Sequence, residues 1–510
     1  DYNISHSSPK NRGKWYQPSR ADGRVWRVAP ENVKPIGSFQ SDLSKKSNAE
    51  LIQLLSHAND WYARQVRRIF AERRDMSIAS ALTQMLDGDD QRLALQALWS
   101  IYVSGAFDDS LAMNTPGSKH EYVRAWTVRL LGDQRRVSKH LHSKLVALAR
   151  DDSSVVVRSQ LACTAKRLPA SLAMPIVAEL LKHNEDADDV HIPLLLWWAI
   201  EDKAISDTSL VLQLVESPET WKLPIVQRFI IRRLARRLTA EASDAGYSAA
   251  AGLLSQALDD KALGEKEVES VLSGMVEACS GRKLKDVPST LKNRLVKLLN
   301  RENPDVKVVQ LALRAGLIEA PEKLLERSTR PVAELIAIIR VLGETNCERS
   351  VKRLLRTALE AKTESIQVSA LAALANFDDE IIGNIMSSHC SSFRPNAKRQ
   401  AIDLLCGRVD WGMSLLDSIE AEMIDAKDVS RDQIRLLLVH DDEELNRLVT
   451  KTWGRIQPQT PLEKQGRINA VTQLIRRRKG NVTRGEVIYK KTCASCHKLH
   501  GQGTPIGPDL

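Results

Sequence analysis

From about Ser41 to about Ile456, apolar residues recur at the i, i+3, i+4, i+7 spacing of a helix face, with polar residues between them. The pattern also repeats. The stretch 60–69 returns as 90–98, as 121–130 and as 154–162, with Ala63, Leu93, Val123 and Val157 at matching positions 30 to 34 residues apart. Later copies lie at 306–315, 366–375 and 395–405. Several copies follow another helical stretch, as 50–55 and 137–148 precede the first and fourth, and 351–361 and 381–387 precede the last two. The middle, about 206–300, keeps helix pairs and loses the register. The spacing predicts roughly 16 to 19 helices.

Helix pairs at this period resemble HEAT repeats. Asp or Asn precedes the second helix of a pair, where a side-chain oxygen can cap the exposed N–H groups. Small residues such as Ala63, Ala94 and Ala125 suit close packing. Each pair can bury its apolar stripe only against its neighbours, so the array expected over 41–474 is an all-α solenoid. Composition agrees: 24 Gly and 19 Pro in 510 residues are few turn-formers, and 43% apolar residues can fill a large core. The longest apolar run, 192–200, holds nine residues including Pro193, against the ~20 a membrane helix needs, so no transmembrane segment is expected.

The ends read differently. Residues 1–40 are polar and carry Pro9, Pro18, Pro30 and Pro35. Within them, 23–28 alternates like a strand, which must pair with something else to be stable. A basic stretch, Arg476-Arg477-Arg478-Lys479-Gly480-Asn481, breaks the helical pattern and reads as a linker over 475–484, followed by a short helix at 483–489. The net charge of +10 sits at these ends: +4 in residues 1–36, +7 in 475–500 and −1 at Asp509, leaving the interior neutral. The basic stretch 228–237 carries Phe229, Ile230, Ile231 and Leu234 at buried-stripe spacing, so it reads as a solvated helix face. With no nucleic-acid-reading module, no nucleic-acid partner is expected.

Beyond the linker, Cys493-Ala494-Ser495-Cys496-His497 forms C-x-x-C-H, the attachment pattern of a c-type haem. Two thiols three positions apart can both form thioethers, and the adjacent imidazole can ligate the iron. On this composition the string arises by chance roughly twice in a thousand chains of this length. A structural zinc site would need a second ligand pair; His500 is close, but no other C-x-x-C exists. A redox dithiol would need a surrounding strand–helix unit, which the pattern lacks. Of the other cysteines, Cys163, Cys279 and Cys406 lie in apolar helix patterns, whereas Cys347 and Cys390 have polar neighbours that would allow exposure; a structural role is expected for all five. Trp197 and Trp198 are expected in the core. His140 and His142, two apart, do not share a helix face and make a poor metal pair. No phosphate loop and no nucleophile–base motif is present, so no catalytic residue is assigned within this chain.

Three features carry a wider resemblance: the 23–30 segment, Asp60-Trp61-Tyr62-Ala63-Arg64 opening the repeats, and Gly485-x-x-x-Tyr489-x-x-x-Cys493 leading through the haem motif to Gly507-Pro508-Asp509-Leu510. Together they are similar to the large haem-binding, membrane-bound-dehydrogenase-like proteins of planctomycetes and verrucomicrobia. That family joins a quinoprotein-like β-propeller, HEAT repeats and a C-terminal class I cytochrome c domain. The resemblance implies that 1–40 is the remnant of an upstream propeller and that 485–510 is the N-terminal part of a truncated cytochrome c domain. It implies one covalent haem c on Cys493 and Cys496, with His497 as axial ligand and the Pro508 carbonyl accepting from its Nδ1–H. The distal ligand would lie downstream, since all eight Met fall between Met76 and Met423. Lys490, Lys491 and Lys498 would face an acidic redox partner protein. The location implied is periplasmic or otherwise extracytoplasmic, with a signal sequence upstream. Electron transfer for a dehydrogenase domain or partner is the function implied. A non-redox HEAT interaction scaffold and a piece of a quinoprotein-like sugar dehydrogenase are the alternatives.

Overall fold

The computed structural model describes residues 42–133, 135, 137–326, 330–454, 467, 471, 474, 480–499 and 502–504. The fold is all-α: the described residues hold 26 helices, short 3-10 turns and no strand. The strand expected at 23–28, the rest of 1–40, residues 475–479 of the linker and Pro508 lie outside the described residues. The helix count exceeds expectation because pieces such as Asp109–Asn114, Thr208–Gln213 and Pro218–Trp221 are too short to leave a periodic trace. No helix among the described residues is long and apolar enough to cross a membrane.

The chain divides into two compact units, Asp1–Lys203 and Ala204–Leu510. In the first, five helix pairs follow one another: α1 (Asn48–Leu54) and α2 (Asp60–Arg73), α3 (Ala79–Leu86) and α4 (Gln91–Ser104), α5 (Asp109–Asn114) and α6 (Glu121–Asp133), α7 (Lys139–Asp151) and α8 (Val155–Arg167), α9 (Ala170–Leu180) and α10 (Ile192–Glu201). The second helices pack side by side in the order α2, α4, α6, α8, α10, and α5, α7 and α9 pack likewise in the other layer. Polar caps start several of these helices. Ser47 and Glu50 form a reciprocal capping box, and Asn59 and Asp90 accept from Trp61 N and Leu93 N. Gly105, at φ +87°, ends α4 in the left-handed conformation a side chain would resist.

Ala63, Val123 and Val157 are fully buried, as their matching positions require. Leu93 is not. The cap at Asp90 turns α4 so that Ala94 takes the enclosed position and Leu93 is half-buried. Trp197 enters the core, but Trp198, expected beside it, is 44% exposed, because neighbours on a helix point to different faces. Neighbouring pairs are stitched by a repeated device. Arg124 of α6 reaches both carboxylate oxygens of Asp152 at 2.7 and 2.8 Å; Arg158 of α8 does the same to Asp186 at 2.6 Å for each oxygen. His120, His142 and His183 each bond through Nε2 to a backbone carbonyl at least thirty residues away, at 2.8 to 2.9 Å. These histidines are staples, and the described residues contain no metal-binding cluster.

In the second unit, the repeats found at 306–315, 366–375 and 395–405 are the helices Val306–Arg314, Glu364–Leu374 and Pro395–Leu405. Their buried residues join one core running from Val309 to Val449. Between 206 and 300, where the register fails, the helices Thr208–Gln213 and Pro218–Trp221 are short and a π-turn at Val226–Ile230 inserts an extra residue before the helix Ile231–Ala240. That helix crosses Glu265–Ala278 so closely that a Cβ on Gly274 would press into the carbonyl of Arg232. Cys390, whose polar neighbours would allow exposure, is fully buried in this core, because those neighbours belong to a 3-10 turn folded over it. Cys347 and Cys163 are half-buried.

Candidate functional site

The helix Val482–Thr492 leads into the C-x-x-C-H motif. Asn481 caps it, its side-chain oxygen accepting from Arg484 N at 2.9 Å. The helix starts one residue earlier than the sequence suggests and runs three residues further, up to the first motif cysteine, because Lys490, Lys491 and Thr492 are compatible with its last turn. None of its residues is buried, and Val482, Val487 and Ile488 are exposed.

The motif continues this helix as a single further turn. Cys493 N and Ala494 N both donate to the Tyr489 carbonyl, at 2.8 and 3.0 Å, and Cys496 N and His497 N donate to the Cys493 carbonyl, at 3.0 and 2.9 Å. Residues three apart on such a turn share a face, which brings Cys493 and Cys496 to the same side. Cys496 is exposed, Cys493 and His497 are half-exposed, and both thiols are free. The contrast with the rest of the chain is chemical. Burial pushes the Cys279 and Cys390 thiols up to about 11 and Cys406 up to about 12, so those three stay protonated and inert at neutral pH. An accessible thiol pair on one turn with an imidazole beside it is a donor set that fits covalent haem attachment.

A short loop folds back over the motif. The Tyr489 hydroxyl lies 2.6 Å from the His497 carbonyl and 2.8 Å from the Gln502 carbonyl, so its one proton is shared between the two ends of the loop. Leu499 and Gln502 exchange backbone hydrogen bonds at 2.9 and 3.0 Å. Thr504 ties back to Ala494 through its N–H at 3.0 Å and its hydroxyl at 2.9 Å. Gly503 sits at φ +102°, where a Cβ would collide with the His497 carbonyl and crowd the Tyr489 hydroxyl. The spacing of Gly485 and Tyr489 from the motif singled out both residues. Tyr489 has a use, while nothing lies within 4 Å of a Cβ built on Gly485 among the described residues. Sequence reasoning missed the parts played by Gly503 and Thr504; the glycine following the motif was the available signal. Pro508 and His500 lie outside the described residues. Lys491 is exposed and Lys498 half-exposed, but Lys490 is paired with Glu486 at 2.8 Å.

Residues 482–510 match the Cytochrome c family, beginning on the first residue of the helix that carries the motif. No curated protein matches the chain. A cytochrome c segment implies covalently bound haem c and haem-based electron transfer.

Proposed function

We propose that this chain is a c-type haem electron-transfer protein carried on a HEAT-like helical scaffold, with Cys493 and Cys496 as the thioether positions and His497 as an axial iron ligand. The observation that carries the reading is C-x-x-C-H on one accessible turn, inside the segment that matches the Cytochrome c family. A haem held there would supply a one-electron carrier that changes redox state without diffusing away. The chain's own residues do the positioning. The turn aims both thiols from one face, and Tyr489, Gly503 and Thr504 hold residues 502–504 against it. The Pro508 carbonyl is the proposed acceptor for the His497 Nδ1–H, which would fix the ring's orientation. The electron donor is proposed to be a dehydrogenase domain or partner protein, and the location extracytoplasmic, as covalent haem attachment in c-type cytochromes requires. No catalytic step is assigned to this chain.

A second reading, a non-redox protein-interaction scaffold, is favoured by the array of stacked helix pairs. One experiment separates them. Express the chain with haem-maturation machinery and record a pyridine haemochrome spectrum. The electron-transfer reading expects a c-type spectrum that is lost in Cys493→Ala/Cys496→Ala. No covalent haem on this chain or on a version extended past Leu510 would remove that reading and leave the scaffold.

A further inference from the structure

A strip of stacked cations and indoles crosses the second-helix layer of the first unit, far in sequence from the haem motif. The Arg67 guanidinium of α2 lies over the Trp99 ring of α4, 5.0 Å from its centroid. Trp99 meets Trp126 of α6 edge to face at 4.9 Å and 80°. The Arg129 guanidinium lies over Trp126 at 4.7 Å. Further along, Lys166 of α8 lies over the exposed Trp198 of α10 at 5.9 Å.

These cations have no acidic partner among the described residues, although their neighbours do. Arg68 pairs with Glu72, Arg92 with Asp60 and Arg167 with Asp133. Among the described residues Arg67 donates to the Gln96 amide oxygen; burial, with the charge of nearby Arg64, pushes its pKa down against the more weakly felt charge of Asp60, which itself pairs with Arg92. A half-buried guanidinium without a carboxylate is a cost the fold carries. The enclosed indole N–H of Trp99 also lacks an acceptor among the described residues. The three cations are thus held in place with no carboxylate at ion-pair distance among the described residues.

We propose that this strip, Arg67, Trp99, Trp126, Arg129, Lys166 and Trp198, docks an extended acidic peptide segment of a partner protein. A guanidinium stacked on an indole uses its face and keeps its N–H edges for a carboxylate in the same plane. A chain in the extended polyproline II conformation has three residues per turn and advances ~9 Å in each turn, about the spacing of packed helices, so an acidic residue at every third position keeps to one face and offers each helix a carboxylate. Two other polymers fit less well. Sugars need open ring faces, and Trp99 and Trp126 are half-buried with a face of each under an arginine. A nucleic acid carries a phosphate at every nucleotide, whereas Asp60 and Asp133 flank the strip and would oppose so dense a charge.

The test uses the full chain and a fluorescently labelled peptide with Glu at every third position among Gly and Ser. The expected result is saturable binding by anisotropy that weakens with salt and is absent for the same peptide with Gln in place of Glu. Arg129→Gln and Lys166→Gln, both on exposed side chains, should each weaken it about tenfold without shifting the thermal melt. Lys261→Gln, an exposed cation of the second unit, should leave it unchanged. Equal binding of the Gln peptide, no effect of the two strip variants, or an equal loss in Lys261→Gln would overturn the proposal. So would tighter, Arg129-dependent binding of oligogalacturonate or single-stranded DNA. Haem content plays no part in this readout, so its outcome is independent of the electron-transfer reading.

Discussion

Gly503 decides the path of the loop over the motif. At φ +102° it occupies a region that costs an L side chain roughly 1–3 kcal/mol, and its Cβ would collide with the His497 carbonyl. Gly503→Ala should therefore loosen the contact of residues 502–504 with the motif and lower the fraction of chains that acquire covalent haem, read by the haemochrome assay per mole of protein. Wild-type haem content in that variant would show that the loop does not position the motif. Tyr489 shares this site, yet only its spacing from the motif was legible, because a hydroxyl that bridges two carbonyls leaves no trace in a hydrophobic pattern. Cys390 is the opposite case. Its polar neighbours would allow exposure, but the turn that contains them closes over the core and leaves the thiol fully buried.

Between elements, the arginine–aspartate stitches carry specific weight. The Arg158 and Asp186 side chains are only 4% and 1% exposed, so removing Asp186 leaves a buried guanidinium whose remaining carboxylate is the exposed Glu185 at 3.5 Å. Asp186→Ala should cost ~3–5 kcal/mol in denaturant unfolding, whereas replacing both residues by leucine should cost much less. A loss under 1 kcal/mol for the single variant would mean that water reaches the site. Asp152, bound to Arg124, adds a pH dependence. Burial opposes its ionisation, but the Arg124 guanidinium and the Ser154 N–H outweigh burial and hold its pKa below the ordinary aspartate value. A carboxylate whose folded pKa is depressed contributes stability above its unfolded pKa of ~3.9, and loses it as pH falls through the folded value. Asp152→Asn should accordingly lower stability at neutral pH and flatten the loss seen below about pH 4. Parallel acid curves for the two proteins would exclude this role.

Across the whole molecule, stability should be local. In each unit the helices pack on their neighbours in sequence, as in other arrays of repeated pairs. Leu161, fully buried in α8, is a suitable probe. Leu161→Ala should cost ~2–5 kcal/mol, speed amide hydrogen exchange in the helices between 121 and 201, and leave exchange between 332 and 453 as in the wild type. Uniform acceleration over both ranges would instead mean that the chain unfolds as one cooperative block.

The sequence by itself determined the helical class, the repeat and the chemistry-bearing motif. A helix period and a C-x-x-C-H spacing are local properties, written within a few turns of chain. Tertiary structure decided which residues meet. Ala94 replaced Leu93 in the enclosed position because a cap set the helix's rotation, and the π-turn at Val226–Ile230 inserts a residue that shifts the side chains of the helix it opens. Trp198 faces solvent while Trp197 is buried, because a step of one residue turns a helix by about 100°. The strip from Arg67 to Trp198 lay in no local pattern at all. Its members come from five helices, and only the stacking of those helices brings cations onto indoles.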